Sequence, residues 1–201
     1  MMTLLNGPNT PFGRLAWAAA LELGIVVENR VIDVYNAEFL DAFNPLRQIP
    51  TLVLDDKLAL FDSRVICMYF ASLRAGADGF IPQSDWAVQS RWSLAVGLME
   101  ASVARTMEMR RPPSERNMAA VAGHDQRVAR AISALEQAAD EICVKDARID
   151  RLATAVVLEY IDFRSVSDWR GNAPRLAGWL ESETARPSLA ATRPYDNRPV
   201  A

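Results

Sequence analysis

Short β-branched runs alternate with helical patterns up to about residue 73, and helical patterns run alone from about residue 84, so the 201 residues read as an α/β half followed by an all-α half. The joint lies in Ala75 to Gln83, where two glycines and Pro82 interrupt both periodicities. Residues 1–78 and 84–201 are therefore expected as two domains.

Thr3 to Leu5 is the first expected strand, stopped by a loop holding Gly7, Pro8 and Pro11. From Phe12 to Leu23 the apolar residues Leu15, Ala18, Ala19 and Leu23 recur at helical spacing, with Pro11 in the first turn and Gly24 as the stop. Thr10 caps this helix, or Asn9 and Thr10 present polar groups at its positive end to an anion; the two roles are compatible. Ile25 to Val34 reads as a second strand and Asn36 to Phe43 as a short helix or turn.

The central stretch is NPLRQIPTLVLDD, residues 44–56. Pro50 has no N–H for a ladder, so it opens the strand Thr51–Leu54. Ile49 is pushed toward extended geometry. An extended residue at such an edge offers one N–H and one C=O, which suits either an ordinary strand start or capture of a peptide-like ligand. A turn at Asp55-Asp56, a second short strand and a helix opening at Asp62-Ser63 complete the half. Val65, Ile66, Tyr69, Phe70 and Leu73 form the apolar stripe of that helix, with Gly76 and Gly79 as terminators. Asp62 is an N-cap, or it pairs with a ligand ammonium while Ser63 and its N–H meet a carboxylate.

In the second half, helices are expected over about 84–110, 114–143, 149–163 and 174–184, with Arg111-Pro112-Pro113 breaking the first from the second. Ile149, Leu152, Ala153, Val156, Val157, Tyr160 and Ile161 keep one face of the third apolar. The tail from Arg186, with Pro187, Pro194 and Pro199, is expected as surface turns and extended chain.

A net charge of −3 and pI near 5.3 give no basic footprint for nucleic acid or an anionic membrane. No apolar run has spanning length, and no export signal is visible. Cys67 and Cys143 form no Cys-x-x-Cys pair or metal cluster, which fits buried reduced thiols and a cytoplasmic location. His124 lacks metal-binding partners and reads as solvated surface. Trp86, Trp92, Met99, Met107 and Met109 line or flank one long helix, in core or dimer packing or in a hydrophobic pocket.

The order of these elements, with an Ile-Pro step before the third strand, resembles the cytosolic glutathione transferases over nearly the whole chain. NTPFGRLAWAAALELG is similar to the family's first loop and helix, NPLRQIPTLVLDD to its NPxxxVP stretch, and FDSRVICMYF to its acidic-Ser helix start. RRPPSERN, LEYIDFR and DWRGNAPRLAGWLESETARPSLAAT resemble a bacterial branch. The resemblance implies a thioredoxin-like first domain with a cis Ile49-Pro50 bond, and an all-α second domain contributing the hydrophobic co-substrate site. It implies that Ile49 pairs with the cysteinyl unit of glutathione, that Gln48 reaches the glycyl end, and that Asp62 and Ser63 hold the γ-glutamyl ammonium and carboxylate. Thr10 or Asn9 matches the thiol-activating position. No Tyr or Cys occurs in the first loop, which argues against tyrosine-type activation and a stable mixed disulfide there. Where the family has a Ser/Thr capping box ending in Asp, residues 148–151 read Arg-Ile-Asp-Arg, leaving Asp146 as the alternative cap.

The implied activity is that of a detoxifying transferase that joins glutathione to a small hydrophobic electrophile, or uses it to reduce a peroxide or disulfide, as a homodimer without a metal. The other reading is a binding or interaction module on the same fold.

Overall fold

In the computed structural model, which describes residues 1–54 and 58–195, the first loop and the two segments after it are built around a four-stranded sheet of order β2-β1-β3-β4. β1 (Thr3–Asn6) pairs in parallel with β2 (Glu28–Val31) and antiparallel with β3 (Thr51–Val53), which pairs antiparallel with β4 (Ala59–Leu60). Successive side chains of β1 face opposite ways. Leu4, in register with Leu52, belongs to the face covered by α1 (Pro11–Glu22) and α2 (Ser63–Ser72), and all three elements bury their apolar residues there. Leu5 packs on the other face with Ala37, which lies between two 3-10 turns, Val34–Asn36 and Glu38–Ala42, and with Leu40 of the second, and Ile49 leans on the same cluster. This is the expected α/β order, a thioredoxin-like arrangement of strands and helices.

β2 is shorter than the expected Ile25 to Val34. The Ile25 N–H is taken by the Ala20 carbonyl at 2.8 Å in closing the end of α1, and past Ile32 the Asp33 carboxylate accepts the Tyr35 N–H at 3.1 Å and turns the chain. In α2 the buried face is Ser63, Ile66, Cys67 and Phe70, whereas Val65 and Leu73, expected in the stripe, are 38% and 47% exposed. The helix is apolar on more than one side, so hydrophobicity alone selected too broad a face. The turn expected at Asp55-Asp56 lies outside the described residues.

The fold divides into two compact units: residues 1–81 with the tail from Pro187, and residues 82–186. The tail departs from its expected surface course and from its assignment to the second domain. α8 (Pro187–Ala191) buries Ser188 and Leu189, and it is tied to α1 by Arg14, which donates to the Leu189 carbonyl at 3.1 Å and to Thr192 Oγ1 at 3.3 Å. Ser188 also hydrogen-bonds Glu22.

The second unit is helical: α3 (Trp86–Met109), α4 (Met118–Gln137), α5 (Ala139–Ile142), α6 (Ile149–Arg164) and α7 (Pro174–Glu183). Pro112 and Pro113 separate α3 from α4 as expected, but the expected 114–143 helix begins only after its Asn117 cap and is interrupted at Ala138. Trp92 and Met99 are core residues, while Trp86 is 77% exposed. α6 is buried on nearly all sides rather than on one face, the pattern of a central core helix.

No side chain caps α6. Asp146 accepts the Arg148 N–H at 3.1 Å and pairs with Arg151, and these arginine contacts outweigh partial burial to hold its carboxyl below the usual range. The missing box is replaced by a buried ion cluster. Asp150, fully buried, accepts from Arg91 Nε at 2.8 Å, from Arg148 Nε at 2.8 Å and from the Arg151 N–H at 3.1 Å. Asp150→Ala leaves the partly buried guanidinium groups of Arg91 and Arg148 without their buried carboxylate and is expected to cost about 3 kcal/mol, read as a lower denaturant midpoint. A loss under about 1 kcal/mol would mean that the arginines find other partners.

Candidate functional site in the first unit

The loop after β1 is shaped by two close approaches. Gly13 lies directly under the Asn6 side chain: a Cβ there would stand 1.6 Å from Asn6 Oδ1, which only glycine permits. Asn6, 3% exposed, accepts the Gly7 N–H at 2.8 Å and donates to Asn29 Oδ1 at 3.1 Å, so one amide joins β1, the loop and β2. At Gly7 an added Cβ would meet Ile49 Cδ1 at 2.7 Å and Thr10 Cγ2 at 3.5 Å. Ile49 and Thr10, 39 positions apart in the chain, therefore converge on the same buried glycine.

Thr10 occupies the N-cap of α1 in extended geometry, φ −83° and ψ 128°, but its side chain takes no cap hydrogen bond. The capping reading fails for the hydroxyl because the γ-methyl is turned in toward Gly7 and Gly13. Asn9 is held differently, its Oδ1 accepting the Tyr195 N–H at 3.2 Å.

The Ile49-Pro50 bond is cis, as the resemblance implies, and the Phe61-Asp62 bond is also cis. Before Pro50 the loop is set by Asn44, 1% exposed. It donates to the Gln48 carbonyl and to Thr51 Oγ1, each at 3.0 Å, and accepts the Leu46 N–H at 3.0 Å. Thr51 adds a 2.8 Å bond to the same Gln48 carbonyl. Arg47 adopts a left-handed φ of 49°, uncommon for a non-glycine residue, and pairs with Asp41. The Gln48 side chain is exposed, Pro50 is buried, and the Ile49 backbone makes no hydrogen bond to a described residue. Asn44 was not singled out from the sequence, although an Asn-Pro step is a turn signal.

At the start of α2, Asp62 does cap the helix, accepting the Arg64 N–H at 2.9 Å, with its exposed carboxylate otherwise open to solvent. Ser63 is 2% exposed, and its hydroxyl bonds to no described residue. One turn on, burial and then the Asp62 carboxylate push the Cys67 thiol far above its ordinary range, so Cys67 stays protonated and unreactive. Cys143, expected to be buried, is partly exposed at the end of α5, with Sγ 3.7 Å from the Arg175 carbonyl. Among the described residues there is no group of three or more His, Cys, Asp or Glu able to hold a metal, and no helix long and apolar enough to cross a membrane.

Thr10, Ile49 and Gly7 are thus in mutual proximity, Gln48 and Pro50 flank Ile49, and Asp62 and Ser63 open the helix that packs against α1.

Comparison with known proteins agrees with this frame. Residues 10–73 match the family model for the glutathione S-transferase N-terminal domain. The GST-like protein YibF of Escherichia coli K12 is 28% identical over 200 residues, covering 96% of this chain and 98% of the relative. A glutathione S-transferase of Methylobacillus flagellatus, crystallised with glutathione bound, is 30% identical with a TM-score of 0.89, covering 97% of this chain and all of that one. A Pseudomonas fluorescens Pf-5 family member, also with bound glutathione, is 31% identical with a TM-score of 0.89, over 98% of this chain and 100% of its own. By identity maintained over nearly its whole length, the chain belongs to the glutathione S-transferase family.

Proposed function

We propose that the chain is a glutathione transferase that binds glutathione along the Gln48-Ile49-Pro50 edge and the start of α2, and stabilises its thiolate at Thr10. The observation that carries this reading is the convergence of Thr10 and Ile49 on Gly7, together with a Thr10 hydroxyl that does not cap its own helix. The bound glutathione of the two bacterial relatives supports it. The open N–H and C=O of Ile49 pair with the cysteinyl unit, as an added strand would. That pairing brings the sulfur toward the N-terminus of α1. There the Thr10 hydroxyl donates a hydrogen bond to the sulfur, which favours the anion and lowers the thiol pKa together with the positive end of the helix. The γ-glutamyl ammonium meets the solvent-facing side of Asp62, and its carboxylate meets Ser63 and the N–H groups of α2. The thiolate then adds to a small electrophile or reduces a peroxide or disulfide.

Thr10→Val keeps shape and removes the donor. It should raise the pKa of the bound thiol by about 1–2 units, since a hydrogen bond to an ion contributes about 1.5–3 kcal/mol and one unit is 1.36 kcal/mol. Thiolate absorbance of bound glutathione against pH measures this. A titration moved only by Asn9→Ala would transfer the role to Asn9, and one moved by neither would remove side-chain activation.

Asp62→Ala and Ser63→Ala should each weaken glutathione roughly ten- to a hundredfold by calorimetry. Asp62→Ala also removes a cap and should lower stability by about 1 kcal/mol, whereas Ser63→Ala removes no cap bond. Unchanged affinity in both variants would eliminate the γ-glutamyl site. The reading carries a homodimer with it, for which light scattering should return twice 22.3 kDa at micromolar concentration; a monomer mass would exclude it.

A further inference from the structure

Thr10 is a helix cap in its backbone and not in its side chain. Its dihedrals are those of a cap residue, and its carbonyl accepts the Arg14 N–H at 3.0 Å, the first bond of α1. A cap hydroxyl ordinarily accepts from the second or third residue of the helix, Phe12 or Gly13 here, yet the Thr10 hydroxyl takes neither. Threonine has three staggered χ1 wells, so the surroundings select one in which the hydroxyl forgoes the cap.

The γ-methyl carries that selection. A Cβ placed on Gly13 would stand 2.9 Å from Thr10 Cγ2, and one placed on Gly7 would stand 3.5 Å from it. The methyl therefore lies where a side chain at position 13 would begin, and within contact range of one at position 7. Both glycines are buried, and neither has a positive φ. Gly13 sits in the first turn of a helix, where glycine is less favourable than alanine, so what its missing side chain supplies is space. Asn6 fills the rest of that space: its Oδ1 would be 1.6 Å from the added Cβ. The amide is held there at both ends, because Oδ1 accepts the Gly7 N–H and Nδ2 donates to Asn29.

We propose that Asn6 and Gly13 are positioning residues for thiol activation: with Gly7 they form a socket for the Thr10 γ-methyl, and the socket holds the hydroxyl off the cap and available to the glutathione sulfur. This rests on the reading of Thr10 as the thiol-activating residue. Its consequence is that threonine at position 10 does what serine would not, although both carry the hydroxyl. Serine has no methyl to seat, so the capping well, in which serine is a preferred residue, competes with the activating one. When the activating well falls from near full occupancy to about one in three, the contribution of the hydroxyl falls about threefold, or about 0.5 unit of thiol pKa.

Thiolate absorbance of bound glutathione against pH, on the full chain and on Thr10→Ser, Thr10→Val and Gly13→Ala, tests the proposal. Thr10→Ser should raise the bound pKa by about 0.5 unit or more, and by less than Thr10→Val does. Gly13→Ala, which keeps the hydroxyl and closes the socket, should raise it at least as far as Thr10→Ser; Thr10→Ser, which disturbs no buried amide, carries the test alone should Gly13→Ala fail to fold. In the chain without glutathione, the Thr10 methyl should show nuclear Overhauser contacts to the Gly7 and Gly13 α-protons and the χ1 coupling of a single rotamer. An averaged coupling, or no such contacts, would overturn the socket. A titration moved by Thr10→Val and not by Thr10→Ser would also overturn it, while leaving activation by Thr10 standing. One unmoved by Thr10→Val would remove the activation itself, and the role of the socket with it.

Discussion

The packing of the Asn6 amide over Gly13 is the constraint on which the first unit depends. The amide sits where a side chain at position 13 would have to be, and from there it holds the Gly7 N–H on one side and Asn29 on the other. The end of β1, the start of α1, the edge strand β2 and the loop between them are thereby set as one body. A buried amide with its acceptor and donor both committed is costly to displace, because any shift leaves polar atoms without partners. The orientation of Asn9 and Thr10 follows from this, since both lie on the short span between Gly7 and Gly13.

The other side of the candidate site is built on a second buried asparagine. Asn44 uses both ends of its amide to hold the loop before Pro50, and its partner Thr51 is the first residue of β3. Ile49 is thus presented from a tethered loop leading into β3, and Thr10 from the cap position before α1. Recognition groups anchored to regular elements keep their geometry better than groups on free loops. What remains free to meet a ligand is mostly backbone at Ile49, the open side of the Asp62 carboxylate, and two hydroxyls, Thr10 and Ser63. For the proposed glutathione site this is a small set of polar groups, and the proposed chemistry therefore rests on positioning rather than on a strongly perturbed side chain. The one cysteine nearby is kept inert by burial and by Asp62.

The second unit meets its own constraint by a different device. A central helix buried all round must start somewhere, and its first N–H groups need partners. Here the start is surrounded by Arg91, Arg148 and Arg151 with Asp146 and Asp150, an ion cluster in the place of a capping box. Burying such charge is tolerable only because each group is paired and hydrogen-bonded, which links α3, α5 and α6 at one point.

Local patterns by themselves determined the element order, the α/β and all-α halves, the Pro11 helix start, the strand opening at Pro50, the Asp62 cap and the break at Pro112-Pro113. Each of these is written in a few adjacent residues whose backbone preferences act without distant partners. The extent of β2 was not legible, because Ile25 gives its N–H to the end of α1 instead of a strand. Nor was the buried face of α2, whose apolar residues occupy more than one side, nor the course of the tail, whose few apolar residues become a helix only against α1. For the site, Thr10, Ile49 and Asp62 were nameable from their neighbours, but the convergence of Thr10 and Ile49 on Gly7, the freeing of the Thr10 hydroxyl from capping and the roles of Asn6 and Asn44 were decided by tertiary structure alone. Those facts rest on contacts between residues far apart in the chain or on which side of a side chain is turned inward, and close packing rather than local preference chooses both.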